Sequence, residues 1–284
     1  MYLYFVPSGG FNDTLSQLSK CICYCKKYNR TLLLDTTESC YEINWSDYFT
    51  FNNISCPIIC DVNIIKSILN NNLTVYPSEL YDILTNKKSV RYTSNFVKNL
   101  GLCYMSNNNW TPFILPTHET LEDVVVYFQC GGSFNTIDIF SSLKLLDTIK
   151  IHCKNNYLLL PKPYLGIQIR NTDYKCDYVG LYETHKELIN SYNTIYIATD
   201  CKEAIDFFKT SCENATIFNF TTFPDKIIYN LHYYNLDGDT KIKDLFCDIY
   251  IITMCDHFLT NSGGGFVSLL KKCHNNNTVK EMFN

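Results

Sequence analysis

Residues 164–180 read YLGIQIRNTDYKCDYVG and change character halfway along the segment. Five of the first six residues are apolar, which predicts a buried β-strand. The polar and charged residues that follow are Arg170, Asn171, Thr172, Asp173, Lys175 and Asp177. A buried strand that ends in polar side chains is typical of a parallel α/β sheet, where ligands bind at the carboxyl ends of the strands.

The sequence after this segment alternates between strand and helix patterns. The apolar runs YLGIQI, TIYIA, ATIFNF and HFLT are separated by segments with helical spacing, among them YETHKELINSY and KIKDLFCDIYIITMC. The final helical pattern, GGFVSLLKKC, ends at Cys273. Residues 164–273 are therefore predicted to form a doubly wound parallel sheet.

The N-terminal part begins with the same kind of unit. The run YLYFV at 2–6 is followed by PSGGFNDT, by apolar residues at helical spacing, and by TLLLD at 31–35, which predicts a βαβ unit. From 40 to 155 the pattern weakens, with helical candidates at 79–84 and 139–153 and a strand in VVVYFQCGGSF at 124–134. The fold class is thus α/β, with two Rossmann-like domains facing a cleft.

A linker is predicted at the Pro-Lys-Pro sequence of residues 161–163, which divides the chain into domains 1–160 and 161–284. The formal net charge of −4 argues against a nucleic-acid partner, and no apolar run is long enough to predict a membrane span. The 15 cysteines are odd in number and irregularly spaced, so free thiols are expected. The N-terminal run reads as a first β-strand rather than a signal peptide, so a cytoplasmic protein is expected.

Polar or glycine-rich residues follow four of the predicted strands, in PSGGFND, RNTD, TD and TNSGGG. Each has an ordinary structural alternative, because Asn12, Asp13 or Asp200 could cap a helix and the glycines at 263–265 could form a flexible turn. Arg170 continues a buried strand and needs an anion, which is either Asp173 or a bound phosphate. Since the chain has only three arginines, diphosphate binding is the preferred interpretation of Arg170.

The four segments together resemble the fucosyltransferase superfamily, which includes α1,2-, α1,6- and protein O-fucosyltransferases. The matching segments are GGFNDTLSQ at 9–17, GIQIRNTDYK at 166–175, IYIATDCKEAIDFF at 195–208 and DIYIITMCDHFLTNSGGGF at 248–266. The resemblance implies a B-type glycosyltransferase fold (GT-B) with an N-terminal acceptor-side domain and a C-terminal domain that binds the nucleotide sugar. It also implies GDP-fucose as the donor, a glycan acceptor, inversion at the anomeric carbon, and no metal or other cofactor.

The resemblance also assigns roles to individual residues. Arg170 corresponds to the arginine that holds the β-phosphate, and Asp200 to an aspartate that accepts hydrogen bonds from guanine. The remaining donor-binding positions are Gly9, Gly10, Asn12, Gln168, Asp173, Asn261, Ser262, Gly263 and Gly264. The chain departs from the usual pattern at Gln168, where the family often has His, and at Asn171, where it often has a second Arg.

An inverting displacement needs a group that accepts the proton of the acceptor hydroxyl. Asp13 and Asp177 are the candidate catalytic bases, with His118 third, and each could instead be a helix cap or a solvated surface group. Aromatic residues around Trp45 and Trp110 could stack on sugar rings, although aromatic residues in such a region more often belong to the core. The DGD sequence at 237–239 reads as a surface turn rather than a metal site. Two alternatives remain open: a B-type glycosyltransferase that uses another nucleotide sugar, and a non-catalytic protein that binds glycans or nucleotides on the same scaffold.

Overall fold

The computed structural model describes residues 1–7, 9–37, 39–76, 78, 104–106, 109–111, 115–129, 136–172, 175–225, 231 and 236–284. The chain divides into two compact units, Met1–Lys144 and Leu145–Asn284. Each unit contains a parallel β-sheet with helices, so the predicted α/β class is confirmed.

The first unit is built around its N-terminal strand. Its elements are β1 (Tyr2–Pro7), α1 (Phe11–Lys27), β2 (Thr31–Leu34), a 3₁₀ turn (Trp45–Asp47), β3 (Phe49–Phe51), β4 (Ile58–Ile59), α2 (Val62–Leu69), β5 (Val75–Tyr76), β6 (Tyr104–Ser106), β7 (Asn109–Thr111), β8 (Val124–Gln129), α3 (Ile137–Ser141) and, at the boundary, β9 (Leu143–Leu145). Five strands form a parallel sheet in the order β4-β2-β1-β8-β5. Because β1 is central, its residues from Leu3 to Val6 are almost completely buried.

The second unit has the strand order of half a Rossmann fold. Its elements are α4 (Asp147–Leu158), β10 (Leu165–Ile169), α5 (Tyr178–Asn190), β11 (Thr194–Thr199), α6 (Lys202–Ser211), β12 (Thr216–Phe218), α7 (Gly238–Met254), β13 (His257–Leu259), α8 (Gly265–Cys273) and α9 (Asn277–Met282). The four strands are all parallel, in the order β12-β11-β10-β13. The parallel sheet predicted from the sequence is confirmed, and the order of strands reverses between β10 and β13, where ligands bind in such sheets.

Strand β10 is completely buried in this sheet, as is its neighbour β11. All five of its residues are buried, and a glycine at its second position allows α7 to lie close. A Cβ atom at Gly166 would lie 2.8 Å from both the Cys255 Sγ and the Ile252 Cδ1 atoms. The sequence therefore needs glycine here because a side chain would separate the sheet from α7.

Two sequence predictions differ from the structure, and a third lies outside the described residues. The segment 139–153 is not one helix, because Leu143 and Leu145 are buried on either side of exposed Lys144 and form strand β9 between α3 and α4. The DGD sequence begins α7 rather than a surface turn, with the Asp237 carboxylate accepting from the Thr240 amide. Helix α4 packs on α7 and lies in the second compact unit, and the domain boundary at residues 160 and 161 stays a prediction. The helical candidate at 79–84 lies outside the described residues.

The longest described helices, α1 and α7, have 17 residues each. None of the helices in the described ranges is long and apolar enough to cross a membrane.

Arg30 lies in the core of the first unit and is only 1% exposed. Its guanidinium donates to the carbonyl oxygens of Tyr2 (3.1 Å), Glu122 (3.0 Å) and Thr120 (2.6 Å), and also to the Thr120 hydroxyl. These bonds fix the segment before β8 against the start of β1. Arg30 is thus a structural residue whose partners are neutral oxygen atoms.

Replacing Arg30 by Met should lower the free energy of unfolding by about 3 kcal/mol, because buried carbonyl groups lose their donors. Chemical denaturation measures the change. Lys26→Met removes the same charge from an exposed position on α1 and should leave stability nearly unchanged. Equal effects of the two substitutions would contradict the structural role of Arg30.

Asp248 on α7 faces the sheet of the second unit, where the Tyr196 hydroxyl donates to its Oδ1 atom at 2.5 Å. The residue as a whole is half-buried, but its carboxyl group is desolvated. Desolvation raises the pKa of Asp248 to about 8, the nearby Asp244 adds to the rise, and the bond from Tyr196 opposes it. The carboxyl group is therefore protonated at neutral pH in the folded protein.

An unfolded Asp ionises near pH 4, so between that pH and about 8 the folded state holds a proton that the unfolded state has lost. We expect stability to fall as the pH rises through this window, with a contribution from Asp248 approaching about 1.4 kcal/mol per pH unit. Asp248→Asn, which still accepts the bond from Tyr196, should remove this contribution. Denaturation at pH 5, 6, 7 and 8 tests it, and exposed Asp206→Asn is the control; a wild-type slope that persists in Asp248→Asn would refute the assignment.

Candidate functional site

Arg170 lies where the second sheet reverses its strand order. It follows the last residue of β10, and its amide N–H donates to the Ser262 Oγ atom in the loop after β13 at 2.9 Å. This bond joins the carboxyl ends of two adjacent parallel strands. The half-buried arginine and the buried serine, both selected from the sequence, are thus brought together at the switch point of the sheet.

Gly264 lies against the Arg170 guanidinium. A Cβ atom at this position would be 2.7 Å from Arg170 Nη1, and the backbone φ of Gly264 is 104°. That φ, with a ψ of 171°, belongs to a region used almost only by glycine. Gly264 also precedes the first residue of α8, so the guanidinium lies next to the N-terminus of a nine-residue helix.

A short chain of hydrogen bonds fixes the loop after β13 relative to β10. The Thr260 hydroxyl donates to Gln168 Oε1 at 3.0 Å and accepts from the Ser262 amide at 3.1 Å. Gln168 is buried within the strand, and Thr260 supplies the partner that its side chain needs. Gln168 therefore supports the position of Ser262 from within the sheet.

Asp200 follows β11 and bonds to the segment that follows β10. Its Oδ1 atom accepts from the Asn171 amide at 2.7 Å, and its Oδ2 atom accepts from the Thr172 hydroxyl at 2.6 Å. The alternative role as cap of α6 is not seen, because the cap position is Cys201 and no side chain caps it. Asp200 thus connects the ends of β11 and β10.

Asn261 links the loop after β13 to the start of α5. Its Nδ2 atom donates to the Asp177 carbonyl at 2.7 Å, and its Oδ1 atom accepts from the Cys176 thiol at 2.6 Å. The Asp177 carboxylate is the N-cap of α5 and accepts from the Gly180 amide at 2.8 Å. The structure therefore gives Asp177 a capping role, and its carboxylate is exposed.

A cavity of about 430 Å³ opens beside these loops, at the carboxyl ends of β10 and β11. Its size is in the range of small-molecule sites. The residues that give it its chemical character are Thr172, Lys175, Tyr178, Asp200, Lys202 and Glu203. The cavity thus combines hydroxyl groups, carboxylates and two ammonium groups around an aromatic ring.

Two thiols in this part of the chain are poor nucleophiles. Burial raises the pKa of both Cys176 and Cys201, so both remain protonated at neutral pH. The Asn171 amide group holds this region together, since its Oδ1 atom accepts from the Cys176 amide and its Nδ2 atom donates to Cys201 Sγ. Covalent catalysis by cysteine therefore does not fit these loops.

The glycine turn after β1 is a second group of selected residues, and it lies in the first unit. Gly9 has a φ of 88°, and Asp13 accepts from the Gly10 amide at 3.1 Å in the first turn of α1. Asn12 is buried and accepts from the Thr136 hydroxyl at 2.6 Å. Here Asn12 and Asp13 both make contacts that stabilise the turn and the start of the helix.

The other selected residues lie elsewhere or outside the described part. Trp45 is 2% exposed and packs against Phe11, Phe49 and Phe51, so of the two alternatives the structure supports the core residue and not the residue that stacks on a sugar. His118 is exposed. Asp173 lies outside the described residues, as does the side chain of Trp110.

Sequence reasoning missed the residues that hold the selected ones in place. The sequence assigns no structural role to Thr172, Thr260 or Asn171. Thr side chains often accept a hydrogen bond from the backbone amide two residues later in a turn. The Thr260 and Ser262 pair has this spacing, so the role of Thr260 could have been predicted. The bonds of Asn171 and Thr172 join different strands, so they could not be found from local sequence.

Comparison with solved structures found the same fold in fucosyltransferases. The fucosyltransferase NodZ from Bradyrhizobium has a TM-score of 0.61 at 16% sequence identity, with 95% of this chain and 93% of that chain covered. The NodZ α-1,6-fucosyltransferase soaked with GDP-fucose has a TM-score of 0.60 at 16% identity, with coverage of 95% and 92%. POFUT1 in complex with GDP-fucose has a TM-score of 0.57 at 12% identity, with coverage of 97% and 95%.

Comparisons of sequence gave no further relatives, since no family model and no curated protein matches this chain. At sequence identities of 12% to 16%, the structural matches show a shared fold. The resemblance found in the sequence is thus confirmed for the fold, which is that of these fucosyltransferases.

Gly264→Ala should lower the free energy of unfolding by about 2 kcal/mol, because its backbone conformation is strained for any residue with a Cβ atom. It should also displace the Arg170 guanidinium, which a crystal structure of the variant would show. Gly265→Ala places the same methyl group at the first residue of α8 and should be neutral or slightly stabilising. If Arg170 keeps its position in Gly264→Ala, the close packing of Gly264 does not determine where the guanidinium lies.

Proposed function

We propose that the protein is an inverting, metal-independent glycosyltransferase that transfers fucose from GDP-fucose to a glycan. The observation that carries the proposal is the contact between Arg170 and Gly264 at the switch point of the second sheet. The GDP-fucose named in the descriptions of NodZ and POFUT1 supports the choice of donor.

Arg170 is suited to bind the diphosphate of the donor. Its planar guanidinium can form two parallel hydrogen bonds to phosphate oxygens, and it lies next to the N-terminus of α8. Amide groups at the start of a helix also attract phosphate. In the proposed complex, Ser262, Gly263 and Gly264 supply these neighbouring groups, and the absence of a side chain at Gly264 leaves room for the Arg170 guanidinium beside them.

The nucleoside of the donor would occupy the cavity of about 430 Å³ beside Asn171 and Asp200. Carboxylate and hydroxyl groups on the cavity wall can bond to ribose hydroxyls and base edges, and the Tyr178 ring offers an apolar surface. This placement puts the nucleoside over β10 and β11 and the diphosphate over β10 and β13. The two halves of the donor would therefore bind on either side of the Arg170 backbone.

Transfer breaks the bond between the anomeric carbon of fucose and a β-phosphate oxygen, which takes the bonding electrons and becomes negatively charged. A fixed guanidinium and helix N–H groups stabilise this charge as it develops, so that a metal ion is not required. The acceptor hydroxyl attacks the opposite face of the anomeric carbon and loses its proton to a base. We propose Asp13 and Asp177 as the candidates, since each carboxylate accepts an amide bond and a carboxylate offers about four acceptor positions.

We also propose that the protein acts in the cytoplasm. The 13 cysteines of the described part are free thiols, and thiols remain reduced in that compartment.

The decisive experiment measures hydrolysis and transfer with a donor panel of GDP-fucose, GDP-mannose and UDP-sugars, with and without EDTA. GDP-fucose should be the preferred donor and EDTA should have no effect. Arg170→Ala should lower turnover at least about 100-fold, because the charge on the leaving group loses its main partner. Lys209→Ala, which removes an exposed charge from the end of α6, serves as the control.

Each contrary result points to a different protein. Preference for a UDP-sugar would indicate a glycosyltransferase with another donor. GDP binding without hydrolysis or transfer to any acceptor in a glycan library would indicate a non-catalytic binding protein. Loss of activity in EDTA that returns with a divalent cation would contradict the metal-independent mechanism.

A further inference from the structure

We propose that Asp200 is a positioning residue that fixes Arg170 for diphosphate binding. This inference rests on the proposed function, since it concerns how the same site holds its donor. The positioning role is separate from the guanine contact that the family resemblance implies for this position.

The first observation is that both carboxylate oxygens of Asp200 already have short internal bonds. Oδ1 accepts from the Asn171 amide at 2.7 Å and Oδ2 accepts from the Thr172 hydroxyl at 2.6 Å. Both donors belong to the two residues that directly follow Arg170. The carboxylate therefore binds the chain next to the arginine through two separate atoms.

The second observation is that this part of the chain needs such a partner. Strand β10 ends at Ile169, which pairs with Thr199 at the end of β11, so the residues beyond it lie past the ladder of backbone hydrogen bonds. Their amide groups must find other acceptors, because unpaired amides in half-buried positions are costly. Asp200 supplies the acceptor for Asn171, just as Ser262 does for Arg170.

The third observation is that the bonds to the Arg170 and Asn171 amides come from opposite sides of β10. Ser262 belongs to the loop after β13, and Asp200 to the loop after β11, and these strands flank β10. A third bond, from Asn171 Nδ2 to Cys201 Sγ, acts on the same side as Asp200. The Arg170 backbone is therefore held from both neighbouring strands, which fixes the direction in which its side chain leaves the sheet.

This arrangement has a consequence for ligand binding that a base-reading role does not share. An arginine whose backbone is already fixed loses less conformational entropy when it binds an anion. The benefit applies to the diphosphate, whatever nucleoside it carries. Loss of Asp200 should then weaken every diphosphate ligand by a similar factor, including inorganic pyrophosphate, which has no base.

Calorimetric titration of GDP and of inorganic pyrophosphate tests this directly. Asp200→Ala should weaken both ligands by a similar factor of about ten or more, because two hydrogen bonds to a charged group are lost. Thr172→Val should act in the same direction, and Thr172→Ser, which keeps the hydroxyl, should restore binding. Asp206→Asn removes an exposed carboxylate from α6 and should bind both ligands as the wild type does.

A double-mutant cycle then shows whether Asp200 acts through Arg170. In the Arg170→Lys background, Asp200→Ala should cost clearly less than it does alone, because the group that it positions has been replaced. Weaker GDP binding with unchanged pyrophosphate binding in Asp200→Ala would overturn the proposal and indicate contact with the base. Fully additive losses in the cycle would overturn it as well.

Two further results separate this inference from the proposed function. If the wild type binds neither GDP nor GDP-fucose, the proposed function fails, and amide hydrogen exchange still tests the positioning role. Exchange at 170–172 should then be faster in Thr172→Val than in the wild type or in Thr172→Ser. Unchanged exchange would overturn the proposal, and Thr172→Val remains informative if Asp200→Ala does not fold.

Discussion

The main-chain groups beyond the end of a parallel strand have no ladder partners, and the second unit is organised around this constraint at β10. The strand ends at Ile169, and the next amides bond to the side chains of Ser262 and Asp200. These two residues come from the loops of the two flanking strands. The site therefore follows from the strand order, since only a strand between two parallel neighbours can receive side chains from both sides.

The sequence predicted most of this fold because the apolar runs of the second unit are short, well separated and interrupted by helical patterns. The prediction is wrong at Leu143–Leu145, where a short strand lies between two helices. The helical pattern on both sides hides the alternation of buried and exposed residues that is typical of a strand. The prediction also failed at Asp237, since Asp-Gly is a turn signal and an Asp before a helix is a cap signal. Local sequence does not distinguish between these outcomes.

The site was predictable in position but not in detail. A polar residue after a buried strand identifies the edge of the sheet, which is why Arg170, Asp200 and Ser262 were found together. The scarcity of arginine does not by itself identify a binding residue. Arg30 is one of the same few arginines, and it is a structural residue buried among carbonyl groups. The contact between Arg170 and Gly264 depends on a backbone angle that residue types alone do not specify.

Gly166 shows how the site depends on a position at the other end of β10. Its missing side chain sets the distance between the sheet and α7, and α7 leads directly into β13. In the ladder Gly166 pairs with Phe258, so this spacing also determines where β13 begins beside β10. A methyl group at Gly166 would press on Ile252 near the end of α7 and on Cys255 just before β13. The start of the strand that leads to Ser262 therefore packs directly on the strand that leads to Arg170.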